Sequence, residues 1–211
     1  MPDEPEVTLP STPMLGTAEW PLTGWDVVPR AMLKSLRARK DGPGLAYLAA
    51  HVAALCATGA LIHVSLGTWL VAPAMVLHGA VIVLLFAPLH ECSHFTAYRS
   101  RWLNYAVGML AGFASFRPFL YFKWRHAEHH TYTQSAARDP DRVPFPRSLS
   151  HYVAQILGFE FWPKMLGTLW RGALGRFNDA ERRFIPASET ARVTTEIRVD
   201  LACYLAIAAI S

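Results

Sequence analysis

The clearest deficit of this 211-residue sequence is charge. Only 17% of its residues are Asp, Glu, Lys or Arg, whereas 52% are apolar; soluble domains average about 25% charged residues. A chain that is disordered throughout needs low hydrophobicity and high net charge, so this composition excludes one. The net charge is only +4, and the basic residues form no extended patch. We therefore expect no nucleic-acid partner.

Cysteine is scarce as well. The three cysteines, Cys56, Cys92 and Cys203, are odd in number, far apart and set among apolar residues. Disulfide frameworks and cysteine-based zinc sites both require cysteines at characteristic spacings. The sequence therefore predicts neither of them.

Charge is missing most completely between Leu45 and Leu89, where no Asp, Glu, Lys or Arg occurs. A bilayer core of roughly 30 Å takes about 20 helical residues per crossing. The segment therefore predicts two membrane spans, 45–64 and 68–89, joined by a turn at Ser65–Gly67. A soluble amphipathic hairpin would need polar faces that neither segment has. We expect an all-α, multi-pass integral membrane protein.

The flanking charges predict the orientation of this hairpin. Basic residues precede the first span, among them Arg39 and Lys40, and Arg99 and Arg101 follow the second. The positive-inside rule therefore places both ends in the cytoplasm. Residues 1–29 carry five acids and no bases and lack a signal-peptide pattern. Residues 1–44 are predicted to be a disordered cytoplasmic segment, first acidic and then basic.

Residues 45–211 are predicted to form a membrane domain. The uncharged stretch 102–116 is too short for a crossing and predicts an interfacial helix. The aromatic-rich stretch 152–170 predicts a second helix in the headgroup zone. Apolar residues return at 201–211, which is about half the length of a span. We expect these residues to begin a third span and the chain to be a fragment of a longer protein.

Five of the nine histidines fall into two clusters. His90 and His94 lie four residues apart, and His126, His129 and His130 have the spacing i, i+3, i+4. Each set shares one face of a helix. The first follows the second predicted span and the second follows a short interfacial segment, so both should lie at one depth. Neutral imidazole is the commonest metal ligand, and the clusters together predict a metal centre.

Two other metal sites must be weighed. His51, His63 and His78 lie inside the predicted spans, but no matched pair faces across the hairpin at one depth, so haem is disfavoured. The first cluster also matches the His-Glu-x-x-His pattern of zinc proteases, with Glu91 as the general base. The third protease ligand is missing, and five histidines exceed one tetrahedral zinc. More imidazoles and open positions suit iron better.

These motifs carry a specific resemblance. The sequence resembles the membrane fatty acid desaturase family closely over about residues 84–142. The matching elements are His90-Glu-Cys-Ser-His94, then Asn104 and Gly108, then His126-x-x-His129-His130-x-Tyr132-Thr133, then Asp139-Pro140-Asp141.

The resemblance implies an oxidoreductase that uses O₂ and two electrons to introduce a double bond into an acyl chain. It implies two non-haem iron ions, an acyl lipid substrate, and an external electron donor of the ferredoxin, cytochrome b5 or reductase type. No catalytic residue beyond the metal centre is implied. The implied iron ligands are His90, His94, His126, His129 and His130.

Carboxylates that orient ligating imidazoles would come from Glu91, Glu128, Asp139 and Asp141. The Asp139-Pro140-Asp141 segment is equally typical of a plain turn. A third His-x-x-His-His motif, which the family implies, has no match after His130. Carotenoid or lipid hydroxylases and ketolases with similar motifs remain an alternative, as do the zinc protease and a metal-poor membrane remnant.

Overall fold

The computed structural model describes Met32, Lys34 and residues 36–210. The described part of the chain is helical and contains no β-strand, which confirms the predicted all-α class. The chain divides into two units, residues 1–38 and 39–211. The expectation of disorder over residues 1–44 falls mostly on residues outside the described part.

The second unit is a succession of α-helices with one 3₁₀ turn before the last. They are α1 (Asp41–Ser65), α2 (Val71–Val83), α3 (Phe86–Ser93), α4 (Arg101–Ala114), α5 (Phe119–Tyr132), α6 (Leu149–Ile156), α7 (Phe161–Ala173), α8 (Asp179–Phe184), the 3₁₀ turn Ala187–Glu189, and α9 (Thr190–Ile210).

Helix α1 packs against α2 as an antiparallel hairpin. The chain reverses at Gly67, whose positive φ of 76° glycine adopts without steric cost. Apolar side chains of the hairpin point outward: Val64 is 73% exposed and Val76 is 74% exposed. Thr58, by contrast, is buried and 2.7 Å from His78 across the hairpin. Exposed apolar and buried polar side chains are typical of helices that pack within lipid.

Two helical stretches, Asp41–Ser65 and Val71–Ser93, are long and apolar enough to cross a membrane. Only 6% and 11% of their most apolar windows are buried, unlike the core helix of a soluble protein. The second stretch has a break between α2 and α3. Pro88 has no N–H to bond the Leu84 carbonyl, and that carbonyl accepts instead from Ala87 N–H at 3.1 Å.

Helices α4 and α5 meet α3 to form the main core. Leu89, Val107 and Phe119 are buried at their interface. Gly108 faces the Phe119 ring so closely that a side chain there would overlap it. The packing of α5 on both α3 and α4 holds the two histidine-bearing segments together.

The stretch 152–170 forms two helices, whereas the sequence predicts one. Helix α6 ends at Ile156, and Gly158 has a φ of +76°. Its N–H bonds the Gln155 carbonyl and that of Phe159 bonds the Ala154 carbonyl, as in a Schellman motif. This glycine stop was overlooked because the aromatic pattern continues through it.

The last helix, α9, packs against α5 and α7. Its first half contains the buried residues Val193, Glu196, Ile197 and Asp200. Beyond residue 200 the described side chains are half-buried or exposed. The predicted span 201–211 thus continues a helix that begins at Thr190, eleven residues earlier. Its position in a bilayer stays a prediction.

Candidate metal centre

Four imidazoles converge where α3 and α5 meet. Ligand atoms of His90, His94, His126 and His130 all lie within 4.8 Å of one another. His126 Nε2 is 3.1 Å from His94 Nε2 and 3.0 Å from His130 Nε2. The structure therefore brings residues from both sequence clusters to one point.

The end of α3 fixes the first pair. His90 lies in the last turn and His94 is the C-cap. The helix closes with a Schellman motif, because Phe95 N–H bonds the Cys92 carbonyl and Thr96 N–H bonds the Glu91 carbonyl. Phe95 has a φ of 57°, a left-handed conformation that costs a non-glycine residue roughly 1–2 kcal/mol. Such strain is typical of functional sites. Here the left-handed conformation of Phe95 ends the helix beside the histidines.

Helix α5 supplies the other imidazoles. His126 and His130 are one turn apart, and His126 is 5% exposed. The Phe122 ring stacks on His126 with centroids 5.1 Å apart, and Phe86 of α3 packs edge-on against Phe122. Aromatic packing from both helices thus restricts the orientation of the buried imidazole.

His129, the fifth predicted ligand, lies beside the group of four. Its ring centroid is 5.6 Å from that of His126 and 5.7 Å from that of His130. Its Nδ1 donates to Asp139 Oδ1 at 2.8 Å. A proton held on Nδ1 leaves Nε2 of His129 with a free lone pair, as a metal ligand requires.

Asp139 hydrogen-bonds both to the backbone of its own turn and to the His129 imidazole. Its carboxylate accepts from the backbone N–H of Gln134 at 2.8 Å and of Asp141 at 2.9 Å. Burial raises the pKa of this carboxyl, but the hydrogen bonds from His129 and the two amides outweigh burial and lower the pKa to about 2. Asp139 is therefore ionised at neutral pH.

The other three predicted carboxylates have different surroundings. Glu91 lies 3.0 Å from His90 Nδ1 and accepts from Thr96 Oγ1 at 2.7 Å. Asp141 pairs with Arg125 at 2.7 Å and lies 3.9 Å from His126 Nδ1.

Glu128 differs from the other three carboxylates because no imidazole of the described residues lies within salt-bridge distance of it. Its partner is an arginine, Arg138, at 2.8 Å.

The electrostatics of the cluster favour neutral imidazoles. Burial, followed by the repulsion of His90, His130 and its other neighbours, lowers the pKa of His126 to about 4. The same causes lower the pKa of His94. Metal ligation requires deprotonated imidazole nitrogen, so these two side chains are in the correct state at neutral pH.

The donor set fits a transition metal. Imidazole ligands that share one ion at about 2.1 Å have nitrogens roughly 3 Å apart, the separation found around His126 Nε2. Imidazole suits iron, zinc and copper alike. A tetrahedral site with one open position uses three protein ligands. The group of four imidazoles and the adjacent His129 together offer more nitrogen donors than that.

A cavity of about 550 Å³ adjoins the imidazoles. His90, His126 and His129 line one side of it, and Phe86, Phe122 and Met165 contribute apolar surface. We refer to it as the histidine cavity.

Glu196 of α9 is a site residue that no sequence motif predicted. This buried carboxylate accepts from Leu120 N–H, in the first turn of α5, at 2.8 Å. It therefore caps the helix that carries three of the histidines. Burial raises the pKa of Glu196 to about 7. A lone glutamate in a mixed-charge stretch, 76 residues from its partner, gives no local signal.

Two histidines of the hairpin have ordinary hydrogen-bond partners. His51 Nε2 lies 3.0 Å from the Val81 carbonyl, and His78 Nδ1 lies 2.7 Å from Thr58 Oγ1. Both contacts join α1 to α2, as expected for polar residues between membrane helices.

Part of the chain is similar in sequence to known proteins. Residues 67–211 match the family model described as fatty acid desaturase. A Delta(9) fatty acid conjugase-like enzyme of Dimorphotheca sinuata is 38% identical over 66 residues, which are 31% of this chain and 18% of that protein. A Delta(12)-acyl-lipid-desaturase of Punica granatum is 31% identical over 81 residues, 38% of this chain and 21% of that protein.

A bacterial relative, the sn-1 oleoyl-lipid 12-desaturase of a Picosynechococcus strain, is 32% identical over 81 residues, 38% of this chain and 23% of that protein. The matches cover about a fifth of the length of these curated relatives. No solved structure matches the chain. The family match covers more than half of the chain and includes both histidine clusters. The chain therefore belongs to the fatty acid desaturase family.

Proposed function

We propose that this chain is the iron-binding part of an O₂-dependent membrane oxidoreductase that introduces a double bond into a fatty acyl chain. The observation that carries the proposal is the convergence of His90, His94, His126 and His130 beside a cavity with apolar walls. Membership of the fatty acid desaturase family supports the acyl substrate.

The proposed iron ligands are the four converging histidines together with His129. Bound non-haem iron would supply the ability to activate O₂ and remove hydrogen from an unactivated C–H bond, which protein side chains lack. The resemblance implies two iron ions. The described residues offer one compact group of four imidazoles, so a second ion requires ligands in addition to His129.

Residues of this chain would orient the imidazole ligands and hold the substrate beside them. Asp139 keeps the proton of His129 on Nδ1. Phe86 and Phe122 confine the His126 ring and contribute apolar surface to the histidine cavity. The cavity walls hold one methylene of the substrate near the imidazoles, which lowers the entropic cost of the reaction.

The proposed topology places the histidines at the cytoplasmic face. Both candidate spans end at basic flanks, with Lys40 before α1 and Arg99 and Arg101 after α3, whereas the turn at Gly67 carries no charge. The electrons would come from an external donor of the ferredoxin, cytochrome b5 or reductase type reaching this face. Lipid hydroxylation and ketolation use the same proposed ligands and are distinguished by product.

Metal analysis of the purified chain tests the centre. The protein in neutral detergent is loaded with Fe(II) without oxygen, desalted and assayed for iron. We expect bound iron in the wild type, loss of it in His126→Ala, and retention in His151→Ala, whose imidazole pairs with Glu160 elsewhere. Stoichiometric zinc in its place, with proteolysis abolished by Glu91→Gln, would identify the zinc protease instead.

Lipid analysis tests the reaction. Cells that express the natural reading frame should accumulate an acyl chain with one more double bond, and the product should disappear with His126→Ala. A hydroxylated or keto lipid that depends on the same residue would identify the alternative oxygenase. An unchanged lipid profile alongside bound iron would contradict the desaturase function.

A further inference from the structure

Arg117 lies at the junction of three cavities. It lines the histidine cavity, a second cavity of about 850 Å³ with largely apolar walls, and a third of about 550 Å³. We call the second the apolar cavity; Ile82, Val83 and Trp162 are among its lining residues. We call the third the cationic cavity, because Arg117, Arg125, Arg142 and Lys164 line it with only two acids, Asp141 and Glu160.

The backbone of Arg117 is fixed by the end of α4. Phe116 N–H bonds the Phe113 carbonyl and Arg117 N–H bonds the Gly112 carbonyl at 2.7 Å, which completes a Schellman motif. Phe116 has a φ of 58°, and Pro118 prevents the helix from continuing. The position of Arg117 therefore does not depend on its side-chain contacts.

The guanidinium of Arg117 lies between two aromatic rings. Its Cζ is 5.2 Å from the Phe86 centroid and 5.0 Å from the Phe161 centroid. Both rings also line the histidine cavity. Contacts with aromatic rings stabilise the faces of a guanidinium and leave its N–H groups for hydrogen bonding.

No carboxylate of the described residues lies within 4 Å of the Arg117 guanidinium. The nearby Asp141 is paired with Arg125 at 2.7 Å instead. Burial, followed by the charge of Arg125, lowers the pKa of Arg117. The charge of Asp141 partly offsets these two effects. A half-buried guanidinium that makes no ion pair with a carboxylate of the described residues favours the binding of an anionic ligand.

We propose that Arg117 binds the anionic oxygen group, a phosphate or carboxylate, of the acyl substrate. The group occupies the cationic cavity, and an acyl chain extends from it into the histidine cavity. In a two-chain lipid, the second chain lies in the apolar cavity. The inference deepens the proposed function, because only that function makes the chain in the histidine cavity the reacting one.

Lipid binding by the metal-free chain tests this site without iron or electron donor. Native mass spectrometry in neutral detergent measures binding of dioleoyl phosphatidylglycerol, oleate and uncharged dioleoylglycerol. Arg117→Gln should lower the affinity for the anionic ligand roughly tenfold or more and leave dioleoylglycerol binding unchanged. A dependence on Arg117 for phosphatidylglycerol alone identifies a phosphate head group, and for oleate a carboxylate.

Lys123→Gln is the matched control. It removes one positive charge from α5, where the Lys123 ammonium lies over Trp124, and Lys123 lines none of the three cavities. Arg117→Lys keeps the charge without the bidentate geometry and should give an intermediate affinity; it replaces Arg117→Gln if that variant does not fold. Equal affinities of wild type and Arg117→Gln, or an equal loss in Lys123→Gln, would overturn the proposal.

Iron content is measured on the same variants. If the wild type binds iron and Arg117→Gln binds anionic lipid normally, only the head-group site fails. If Arg117 governs lipid binding but the wild type holds no iron, the site stands and the proposed desaturase centre fails.

Discussion

His129 and Asp139 are joined by a hydrogen bond of 2.8 Å between Nδ1 and Oδ1. The Asp139 side chain is inaccessible to solvent and that of His129 is 26% exposed. The contact ties the end of α5 to the loop that follows it. Because partners of this kind fix the tautomer of a ligating imidazole, it makes the loop part of the proposed metal centre.

Asp139→Asn should weaken metal binding. The substitution preserves the shape of the side chain but removes the negative charge that stabilises the Nδ1–H tautomer of His129. We expect the affinity for Fe(II) to fall roughly 10–100-fold, measured by anaerobic titration of the purified chain. Asp179→Asn, an exposed site in α8, should bind iron as the wild type does. Unchanged affinity in Asp139→Asn would show that His129 is not held as a ligand.

Gly112→Ala should destabilise the fold. A Cβ at this position would lie 2.5 Å from the Arg117 carbonyl and 3.1 Å from Phe119 N. Both are backbone atoms of the turn into α5, so the chain itself must shift. We expect a loss of about 1–3 kcal/mol, seen as a lower thermal midpoint in detergent.

Gly79→Ala is the control for that substitution. Gly79 lies in α2 and has nothing within 4 Å of a built Cβ. Because alanine favours a helix interior by about 1 kcal/mol over glycine, this variant should match or exceed the wild type. A midpoint for Gly112→Ala equal to that of Gly79→Ala would contradict the close approach of α4 to the turn.

Glu196 should make stability depend on pH. Burial raises its pKa from 4.5 to about 7, so the folded state binds a proton that the unfolded state releases above about pH 4.5. The contribution of Glu196 to the free energy of unfolding is therefore greatest below pH 4.5 and declines as the pH rises through 7. The shift corresponds to roughly 3 kcal/mol.

Glu196→Gln tests this dependence because the amide oxygen can still accept from Leu120 N–H. We expect a higher thermal midpoint than the wild type at pH 8 and little difference at pH 4.5. Glu189→Gln, which removes a carboxylate paired with Arg192, is the control for loss of one acid. Parallel pH profiles of wild type and Glu196→Gln would show that the buried carboxylate does not titrate in this range.

Thr58→Val should loosen the hairpin. The substitution removes the 2.7 Å contact between Thr58 Oγ1 and His78 Nδ1 with little change of volume. Interhelical hydrogen bonds in membrane proteins contribute about 0.6 kcal/mol on average. A loss of that size should appear in the midpoint of detergent unfolding. Thr195→Val removes only a bond to Ala191 within α9 and should have a smaller effect.

The sequence predicted the features that periodicity and spacing encode. The uncharged run gave the hairpin, and the i, i+4 spacings of His90 with His94 and of His126 with His130 placed each pair on one face. The structure confirms the all-α class and brings these four residues together. Their role as ligands stays a prediction.

Features that depend on tertiary contacts could not be predicted. Phe95 and Phe116 adopt left-handed conformations that local propensity assigns to glycine. Glu196 reaches its partner across 76 residues, and the Arg117 contacts require three helices. Gly158 differs from these, because a glycine inside a helical pattern was a usable signal of a helix end.

The hydrogen bond between Glu196 and Leu120 links two regions that the sequence keeps far apart. Helix α9 continues from this contact without a break into the apolar segment beyond residue 200. Any movement of α9 therefore acts, through this contact, on the first turn of the helix that carries His126.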